Sequence, residues 1–428
     1  MTSKIKIKYR TQAEFFLLIL SVYPFVFQFF ITELKFPSAI KYLTDCLLLL
    51  VAFINFPKLK IFYGKTFAYG WTALFLSFTL IGYIVNYQSI FFYIWGIRNN
   101  FRFYLYFILC IITLKKKDID FFYKFIDIIF YVNVFVVTFQ YFVLNYRRDY
   151  LGGLFGTSQG CNGFMNIFLV IVFIKSVLFY INSAESLSKC IIKTLFVVYI
   201  SALSELKFMF AEIIIIVLLS MLITKFTWKK VGLILLTFLA LLLGVNILVL
   251  IFPEWKGYFS VEGFLRIAAS KSGYTGSGDL NRLTGVFTIS QNYFESIKDF
   301  IFGYGLGNCD HSSAFSLLDT PFYNKYSWLN YTWFSTTFIY FEMGIIGLLM
   351  FFSLYVIIFF KSRKITDSLG EYKYVGQMAQ VLSIVCIFIA IYNSSLRIES
   401  AYMMYLFLAF PFIKEIHNNN TVEQGEKI

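Results

Sequence analysis

Apolar runs of roughly 20 residues, separated by short polar breaks, recur along almost the whole chain. Each run is long enough to cross a hydrocarbon layer about 30 Å thick as an α-helix. Of the 428 residues, 59% are hydrophobic and 14% are charged, so the chain carries more apolar surface than one soluble core can bury. The alternating pattern typical of a membrane β-barrel is absent. The sequence therefore predicts an all-α, polytopic transmembrane helical bundle.

The apolar runs define about twelve spans, with boundaries good to about 2–4 residues. The run 329–360 is too long for one straight helix, and Gly344 and Gly347 near its middle predict a tilt, a kink or a break. The spans are assigned to residues 13–33, 39–56, 67–86, 101–114, 121–145, 163–181, 191–203, 208–224, 231–252, 329–360, 377–396 and 399–413.

These spans divide the chain into four parts. Helices 1 to 9 occupy residues 1–252, a large polar loop occupies 253–328, helices 10 to 12 occupy 329–414, and a tail occupies 415–428. Loops longer than about 12 to 15 residues are usually functional or disordered. We therefore expect the loop 253–328 to carry chemistry.

Lysine and arginine are concentrated in the loops on one side of the spans, as in the cytoplasmic loops of membrane proteins. We predict a multi-pass protein of the bacterial inner (plasma) membrane, with both termini cytoplasmic and the large loop at the outer face. The net charge of +13 then reflects orientation, and no nucleic-acid partner is expected. The loops assigned to the cytoplasm contain Lys58, Lys60 and Lys65, Lys115 to Lys117, Lys189 and Lys193, Lys225, Lys229 and Lys230, and Lys361, Arg363 and Lys364.

The sequence favours neither a metal site nor another cofactor. Its six cysteines have no metal-ligand spacing, and the chain has two histidines, His311 and His417. A disulfide between Cys161 and Cys309 is conceivable because both would face the oxidising side. Sequence alone does not show that the two lie within bonding distance.

Cationic residues in the loops assigned to the outer face are the candidates for ligand binding. Arg147 and Arg148 open a glycine-rich segment, and paired guanidinium groups suit a diphosphate, although lipid headgroups would bind them equally well. Lys207 follows Glu205 at a membrane boundary, a position typical of either a functional charge or a structural ion pair.

The long loop contributes Arg266, Arg282 and His311. Residues 283–301 carry an apolar stripe at helical spacing, which predicts a helix along the membrane surface with Arg282 at its start. His311 has the side chain best suited to proton transfer near neutral pH. A lone loop histidine is nevertheless more often simply solvated.

Three segments, taken in order, resemble motifs of the O-antigen ligase and polymerase superfamily. The family has an outer loop with an arginine, an amphipathic stretch and a "plFGyGlG" ending, and it also has "yElGiiGll" and "fGnpN" segments. The resemblance covers residues from about 146 to 350. Its motifs are carried by Arg282 with Ile301-Phe302-Gly303-Tyr304-Gly305-Leu306-Gly307, by Tyr340-Phe341-Glu342-Met343-Gly344-Ile345-Ile346-Gly347-Leu348-Leu349, and by Phe155-Gly156-Thr157-Ser158-Gln159-Gly160-Cys161-Asn162.

This resemblance implies a metal-independent, inverting glycosyltransferase that polymerises undecaprenyl-diphosphate-linked repeat units into O-antigen, capsule or exopolysaccharide. It implies as partners the lipid-linked oligosaccharide, membrane lipid, and a chain-length regulator and flippase of the same pathway. The expected catalytic residues are Arg282, His311 and Lys207, and the expected diphosphate- or glycan-binding residues are Arg147, Arg148, Arg266, Gly303, Gly305, Gly307 and Glu342.

Two departures from the family pattern affect this interpretation. The family has His-Asn about nine residues before the glutamate of its last motif, where this chain has Trp333 and Phe334. His311 then replaces that histidine, or the enzyme works without one. Lys207 stands where the family has an arginine and lacks the bidentate fork. Both departures favour a polymerase over a ligase that transfers glycan to an acceptor.

A flippase or other transporter of lipid-linked sugar is the alternative from a different class. Asp45, Lys124, Asp127 and Lys175 lie in or near assigned spans, where a transport site needs polar groups. Against a transporter, most candidate residues concentrate at the outer face.

Overall fold

The computed structural model describes residues 11–63, 66–258, 260, 262–263, 270, 273–312 and 318–413. Every regular element in these ranges is helical. Lipid offers no hydrogen-bond partner to the backbone, so a chain this apolar must satisfy its N–H and C=O groups within helices. The predicted all-α class is confirmed.

The α-helices are numbered here in chain order. The first eleven are α1 Gln12–Val22, α2 Phe27–Thr32, α3 Leu43–Ile54, α4 Phe56–Tyr63, α5 Phe67–Val85, α6 Ile90–Thr113, α7 Lys116–Phe142, α8 Asn162–Ile181, α9 Leu187–Leu203, α10 Lys207–Ile223 and α11 Trp228–Ile251. The others are α12 Gly285–Asn292, α13 Ile297–Phe302, α14 Pro321–Tyr326, α15 Ser335–Thr366, α16 Lys373–Tyr392 and α17 Ala401–Ala409.

Short 3-10 helices connect or extend several of these elements. They are Tyr23–Phe25, Ser38–Tyr42, Arg148–Tyr150, Gly153–Phe155, Pro253–Trp255, Ser327–Leu329, Tyr331–Trp333, Asp367–Tyr372 and Phe410–Phe412.

Within the described ranges, five helical segments are long and apolar enough to cross a membrane, as expected of a membrane protein, and a bent pair makes six. The twelve crossings assigned from sequence stay a prediction, because several of the assigned runs form shorter helices, such as the 17-residue α9 and α10. The five segments are Ala68–Val85, Lys116–Phe142, Asn162–Ile181, Trp228–Ile251 and Ser335–Tyr392, and the bent pair is Ser38–Ile54 with Phe56–Phe62, at 77°.

Helix α8 is the centre of the bundle, because 94% of its most apolar stretch is buried inside the structure. It packs against α9, α10, α16 and α17. On the peripheral α11, by contrast, Leu235, Leu239 and Leu250 are exposed, as expected where lipid is the solvent. Burial thus separates the helices that position other elements from those that face outward.

Helix α15 is broken at Gly344, where φ is 61° and ψ is −161°. The predicted kink or break in this run is confirmed. The break frees the carbonyl groups of Phe341 and Glu342, which accept hydrogen bonds from the backbone N–H groups of Tyr304 at 2.8 Å and Gly305 at 3.0 Å. The glycine run therefore supplies the partners that the broken helix lacks.

The helix predicted over 283–301 is divided into α12 and α13. Ser296 starts the second helix, because its hydroxyl accepts from the N–H of Asp299 at 3.2 Å and the Asp299 carboxylate accepts from the N–H of Ser296 at 3.1 Å. This reciprocal capping box fixes a new helix start inside the apolar stripe, which periodicity alone does not detect.

The helix connections gather at two opposite ends of the bundle. At one end, the lysine end, are the connections α6–α7, α8–α9, α10–α11 and α15–α16, joined by contacts of Lys115 with Glu14, Lys229 with Ser183, and Tyr372 with Asp120. At the other, the cavity end, the remaining segments are joined by Gln88 to Leu306, Arg148 to Glu254, Thr157 to Glu33, and Ser395 to Gly163.

Candidate functional site

The connections at the cavity end enclose a cavity of about 700 Å³. We call it the arginine cavity. Its cationic lining residues are Arg148, Lys207 and Arg282, which come from three separate connections. Two carboxylates, Asp149 and Glu205, also line it. The structure thus brings together three of the cations that the sequence singled out.

Arg282 lies just before α12, with its guanidinium between two tyrosine rings. The guanidinium carbon is 4.1 Å from the ring centre of Tyr274 and 3.8 Å from that of Tyr392. The Nε of Arg282 is buried and has no hydrogen-bond partner among the described residues. No carboxylate among the described residues forms an ion pair with Arg282. A cation held by aromatic faces but not neutralised favours an anionic ligand.

Lys207 is the first residue of α10 and lies beside the carboxylate of Glu205. Its ammonium is 3.2 Å from Glu205 Oε1 and 3.0 Å from the ring centre of Trp255. The indole N–H of Trp255 donates to the same Oε1 at 2.6 Å. Burial lowers the pKa of Lys207 to about 8, although the nearby Glu205 opposes this shift. Lys207 therefore titrates within the range where proteins are assayed.

The two adjacent arginines diverge. Arg148, with φ 54°, lines the arginine cavity. Its guanidinium is 2.5 Å from the carboxylate of Glu254 and 3.7 Å from that of Glu205. Arg147 instead packs on the ring of Tyr141, with 3.6 Å from guanidinium carbon to ring centre, and donates to the carbonyl of Tyr146 at 3.1 Å. Arg147 lines neither cavity described here, so the expected paired site contains Arg148 alone.

The glycine run and Glu342 also lie outside both cavities. Gly307 donates its N–H to Glu342 Oε1 at 2.9 Å, and the Glu342 side chain is buried. A Cβ at Gly303 would lie 2.5 Å from the Phe341 carbonyl oxygen. Contacts this close leave no room for a substituent or a ligand. The structure thus places Gly303, Gly305, Gly307 and Glu342 in the packing of the loop on α15, and their substrate-binding role stays a prediction.

His311 lines a second cavity, of about 370 Å³, which we call the histidine cavity. Its imidazole is exposed and stacks on Tyr323, with ring centres 3.9 Å apart and an interplanar angle of 7°. The two cavities adjoin, because Trp333, Ser394 and Ile398 line both. His311 and Arg282 thus lie on opposite sides of a shared wall.

Segment 393–400, between α16 and α17, holds residues that sequence analysis missed. It contributes Ser394 to both cavities and Arg397 and Glu399 to the histidine cavity. The spans predicted from sequence end at 396 and begin again at 399, so they assign most of this segment to membrane helices. Its signal is the polar run Asn393-Ser394-Ser395 followed by Arg397, Glu399 and Ser400, inside an otherwise apolar region.

Helix α6 was also misjudged at its start. The assigned span began at 101, whereas the helix begins at Ile90 and carries Arg98 on the histidine cavity. Asn166, which lines the arginine cavity, donates from its side-chain amide to the buried carboxylate of Glu212 at 2.5 Å. Arg98, Asn99 and Asn100 form a polar cluster that is typical of a loop, so the sequence did not predict that α6 includes them. Asn166 and Glu212 are single polar residues inside apolar helices and give no periodic signal.

Other predicted positions fall elsewhere. Arg266 lies outside the described residues. Cys161 and Cys309 are both free thiols, so the conceived disulfide is not formed. Cys161 Sγ instead lies 3.2 Å from the carbonyl oxygen of Asp149. In the described part of the chain, no group of three His, Cys, Asp or Glu side chains could hold a metal ion.

Comparison of this chain with family models, with curated proteins and with solved structures gives no match.

Proposed function

We propose that this protein polymerises undecaprenyl-diphosphate-linked oligosaccharide repeat units at the outer leaflet of the bacterial inner membrane. The observation that carries the proposal is the convergence of Arg148, Lys207 and Arg282 on one cavity, with Arg282 not neutralised by a described carboxylate. A lipid-linked diphosphate matches this charge, and guanidinium groups bind its oxygens through bidentate hydrogen bonds.

The dimensions of the cavity agree with a glycan ligand. Ligand sites commonly measure about 300–1,000 Å³, and the arginine cavity has about 700 Å³. Trp255, Tyr274 and Trp333 line it and offer apolar faces on which sugar rings can pack. Cations for the diphosphate and aromatic rings for the sugars are therefore available in one space.

The reaction is a single displacement. An acceptor hydroxyl oxygen attacks the anomeric carbon, the bond from that carbon to the diphosphate oxygen breaks, and the acceptor proton passes to a base. Arg282 and Lys207 stabilise the negative charge that develops on the departing undecaprenyl diphosphate. His311 takes the proton from a hydroxyl that enters from the histidine cavity. The diphosphate already activates the donor, so the scheme requires no nucleotide.

The distribution of charge supports the membrane orientation. The arginine cavity lies at the end of the bundle opposite to the lysine end, and basic connections prefer the cytoplasm. By the positive-inside rule, the arginine cavity opens toward the outer leaflet. Lipid-linked repeat units are polymerised on that side in the family that the sequence resembles.

A flippase receives less support from the charges that first suggested it. Asp45 binds Arg98, with Nε to Oδ2 at 3.2 Å. The ammonium of Lys175 is 2.5 Å from the carboxylate oxygen Oδ2 of Asp127. Charges already paired inside a bundle are typical of structural networks, and Lys124 is exposed.

A glycan profile of the host tests the proposal. The gene is deleted and complemented with wild type, Arg282→Ala or the matched control Arg147→Ala, and lipid-linked and surface glycans are compared by gel and mass spectrometry. We expect single repeat units after deletion and with Arg282→Ala, and a ladder with wild type and Arg147→Ala. Full-length polymer that stays on undecaprenyl diphosphate would show a ligase instead, and repeat units trapped at the inner leaflet would show a flippase.

A further inference from the structure

The histidine cavity contains a second arginine that has no ion-pair partner among the described residues. Arg397 lies in segment 393–400, and its guanidinium carbon is 3.1 Å from the ring centre of Phe338. No carboxylate among the described residues forms an ion pair with it. Like Arg282, Arg397 is therefore a cation that packs against an aromatic ring and lines a cavity.

Two of the other arginines around Arg397 are paired with carboxylates. Arg102 binds Glu399 at 2.9 Å and Arg98 binds Asp45. Asp310 accepts from the amide of Asn99 at 2.5 Å. Among the described residues, Glu342 and Asp310 attract Arg397 electrostatically but form no ion pair with it, so they offset its charge only in part.

Lys41 adds a second cation to the same cavity. It lies on the 3-10 helix Ser38–Tyr42, with its ammonium 5.2 Å from the ring centre of Tyr42. Within the described residues it has no ion-pair partner. The space of about 370 Å³ is lined by four cations, Lys41, Arg98, Arg102 and Arg397, and by two carboxylates, Asp310 and Glu399. This excess of positive charge favours a compact, multiply charged anion such as a phosphate or diphosphate.

We infer that the histidine cavity is a second anion site, which binds the phosphate group of a second membrane lipid through Arg397 and Lys41 while the arginine cavity holds the first. This inference rests on the proposed function, in which it assigns the second site to the acceptor, a lipid-linked repeat unit. Because Trp333, Ser394 and Ile398 line both cavities, an acceptor whose phosphate binds in the histidine cavity would lie next to the donor.

Native mass spectrometry of the full chain in phosphatidylcholine nanodiscs counts the bound anions, with undecaprenyl diphosphate as the probe. We expect two copies on the wild type, one on Arg397→Gln, one on Arg282→Gln and none on the double variant. Arg363→Gln, at the lysine end, is the control and should keep two. An Arg397→Gln variant that still binds two copies would overturn the inference.

A competing lipid separates the possible sources of the phosphate. If phosphatidylglycerol occupies the site that depends on Arg397 and undecaprenyl diphosphate does not displace it, the site binds phospholipid headgroups and the acceptor assignment is wrong. If undecaprenyl diphosphate displaces phosphatidylglycerol, the assignment is supported. If the wild-type protein binds the copy that depends on Arg397 but not the copy that depends on Arg282, the result would contradict the proposed function and still support the second site.

Arg397 packs against Phe338, so its substitution could unfold the chain. A photoreactive polyprenyl diphosphate on the wild-type protein avoids this problem. We expect cross-links to peptides from both cavities, including one that contains Phe338. Labelling confined to the arginine cavity would contradict the second site.

Discussion

At the scale of single residues, the proposed chemistry depends on three cations, of which Arg282 alone lacks an ion-pair partner among the described residues. Arg282 is held between the rings of Tyr274 and Tyr392, whereas Lys207 shares Glu205 with Arg148. An arginine without a carboxylate costs free energy in a partly buried site, and an anionic substrate recovers it. Substitutions at these positions therefore separate charge from hydrogen-bond geometry.

Arg282→Lys tests whether the planar fork matters in addition to the charge. Lysine keeps a positive charge but loses the bidentate contact to a diphosphate. We expect the rate of polymer formation to fall by about 10²-fold, as for removal of one donor that stabilises a developing charge. The measurement is the initial rate of ladder formation in membranes, with Arg147→Lys as the control that keeps the wild-type rate.

The pH dependence of polymer formation tests Lys207. Burial lowers its pKa to about 8, so its charge is present below that pH and is lost as the pH rises through it. We expect the rate to fall about tenfold per pH unit above 8. Lys207→Arg should remove this fall, and Lys229→Arg, at the lysine end, should leave it in place. A wild-type rate that stays constant to pH 9.5 would contradict a role for the ammonium charge.

At the scale of elements, the break in α15 and the glycine run form one unit. A kink or break near Gly344 could be predicted, because glycine weakens a helix in the middle of an overlong apolar run. The glycine run, in contrast, was assigned a binding role, since its motif resembles that of a family loop. Periodicity does not report that Phe341 and Glu342 need hydrogen-bond donors after the break. Only the three-dimensional pairing shows that the run meets this need.

Gly344→Ala should destabilise the protein. At φ 61° an added Cβ is strained, and it would lie 2.5 Å from the carbonyl carbon of Ile301. We expect a loss of about 1–3 kcal/mol, visible as a lower Tm in detergent. Gly232→Ala is the control, because its Cβ would meet no atom within 4 Å, and alanine favours a helix. Equal Tm values for the two variants would contradict the proposed strain at Gly344.

Glu342→Gln separates packing from substrate binding. In the wild-type protein the backbone N–H of Gly307 donates to Oε1 of Glu342 at 2.9 Å. Glutamine keeps an oxygen that can accept the same hydrogen bond. We therefore expect polymer formation within about twofold of wild type, whereas Glu342→Ala loses the buried hydrogen bond at a cost of about 1–3 kcal/mol. A large loss of activity in a stably folded Glu342→Gln protein would instead support the substrate-binding role predicted from the sequence.

At the scale of the whole molecule, the described helices separate a cavity end from a lysine end. Composition and apolar run length were sufficient to predict the all-α class. They did not find segment 393–400, because its Arg397 and Glu399 interrupt an apolar region only briefly. They also did not place His311 across a wall from Arg282, because distances between loops depend on packing. The site could be predicted as a set of cations but not as two adjoining cavities.

Accessibility to a membrane-impermeant maleimide tests the orientation of the two ends. In a Cys46→Ser background, Ser277→Cys at the cavity end should be labelled in cells whose inner membrane is intact and whose outer membrane, if present, has been permeabilised. Lys189→Cys, at the lysine end, should be labelled only after the inner membrane is opened. Both positions are exposed in the structure. The reverse pattern would place the arginine cavity in the cytoplasm.

Reconstitution tests the proposed polymerisation most directly. Purified wild-type protein in liposomes receives the undecaprenyl-diphosphate-linked repeat unit extracted from the deletion host, with no nucleotide sugar. We expect a ladder of polymer lengths and release of undecaprenyl diphosphate with wild type, and neither with Arg282→Ala of equal Tm. Repeat units that remain unchanged with folded wild-type protein, or a ladder that forms equally well with Arg282→Ala, would contradict the proposed polymerisation at the arginine cavity.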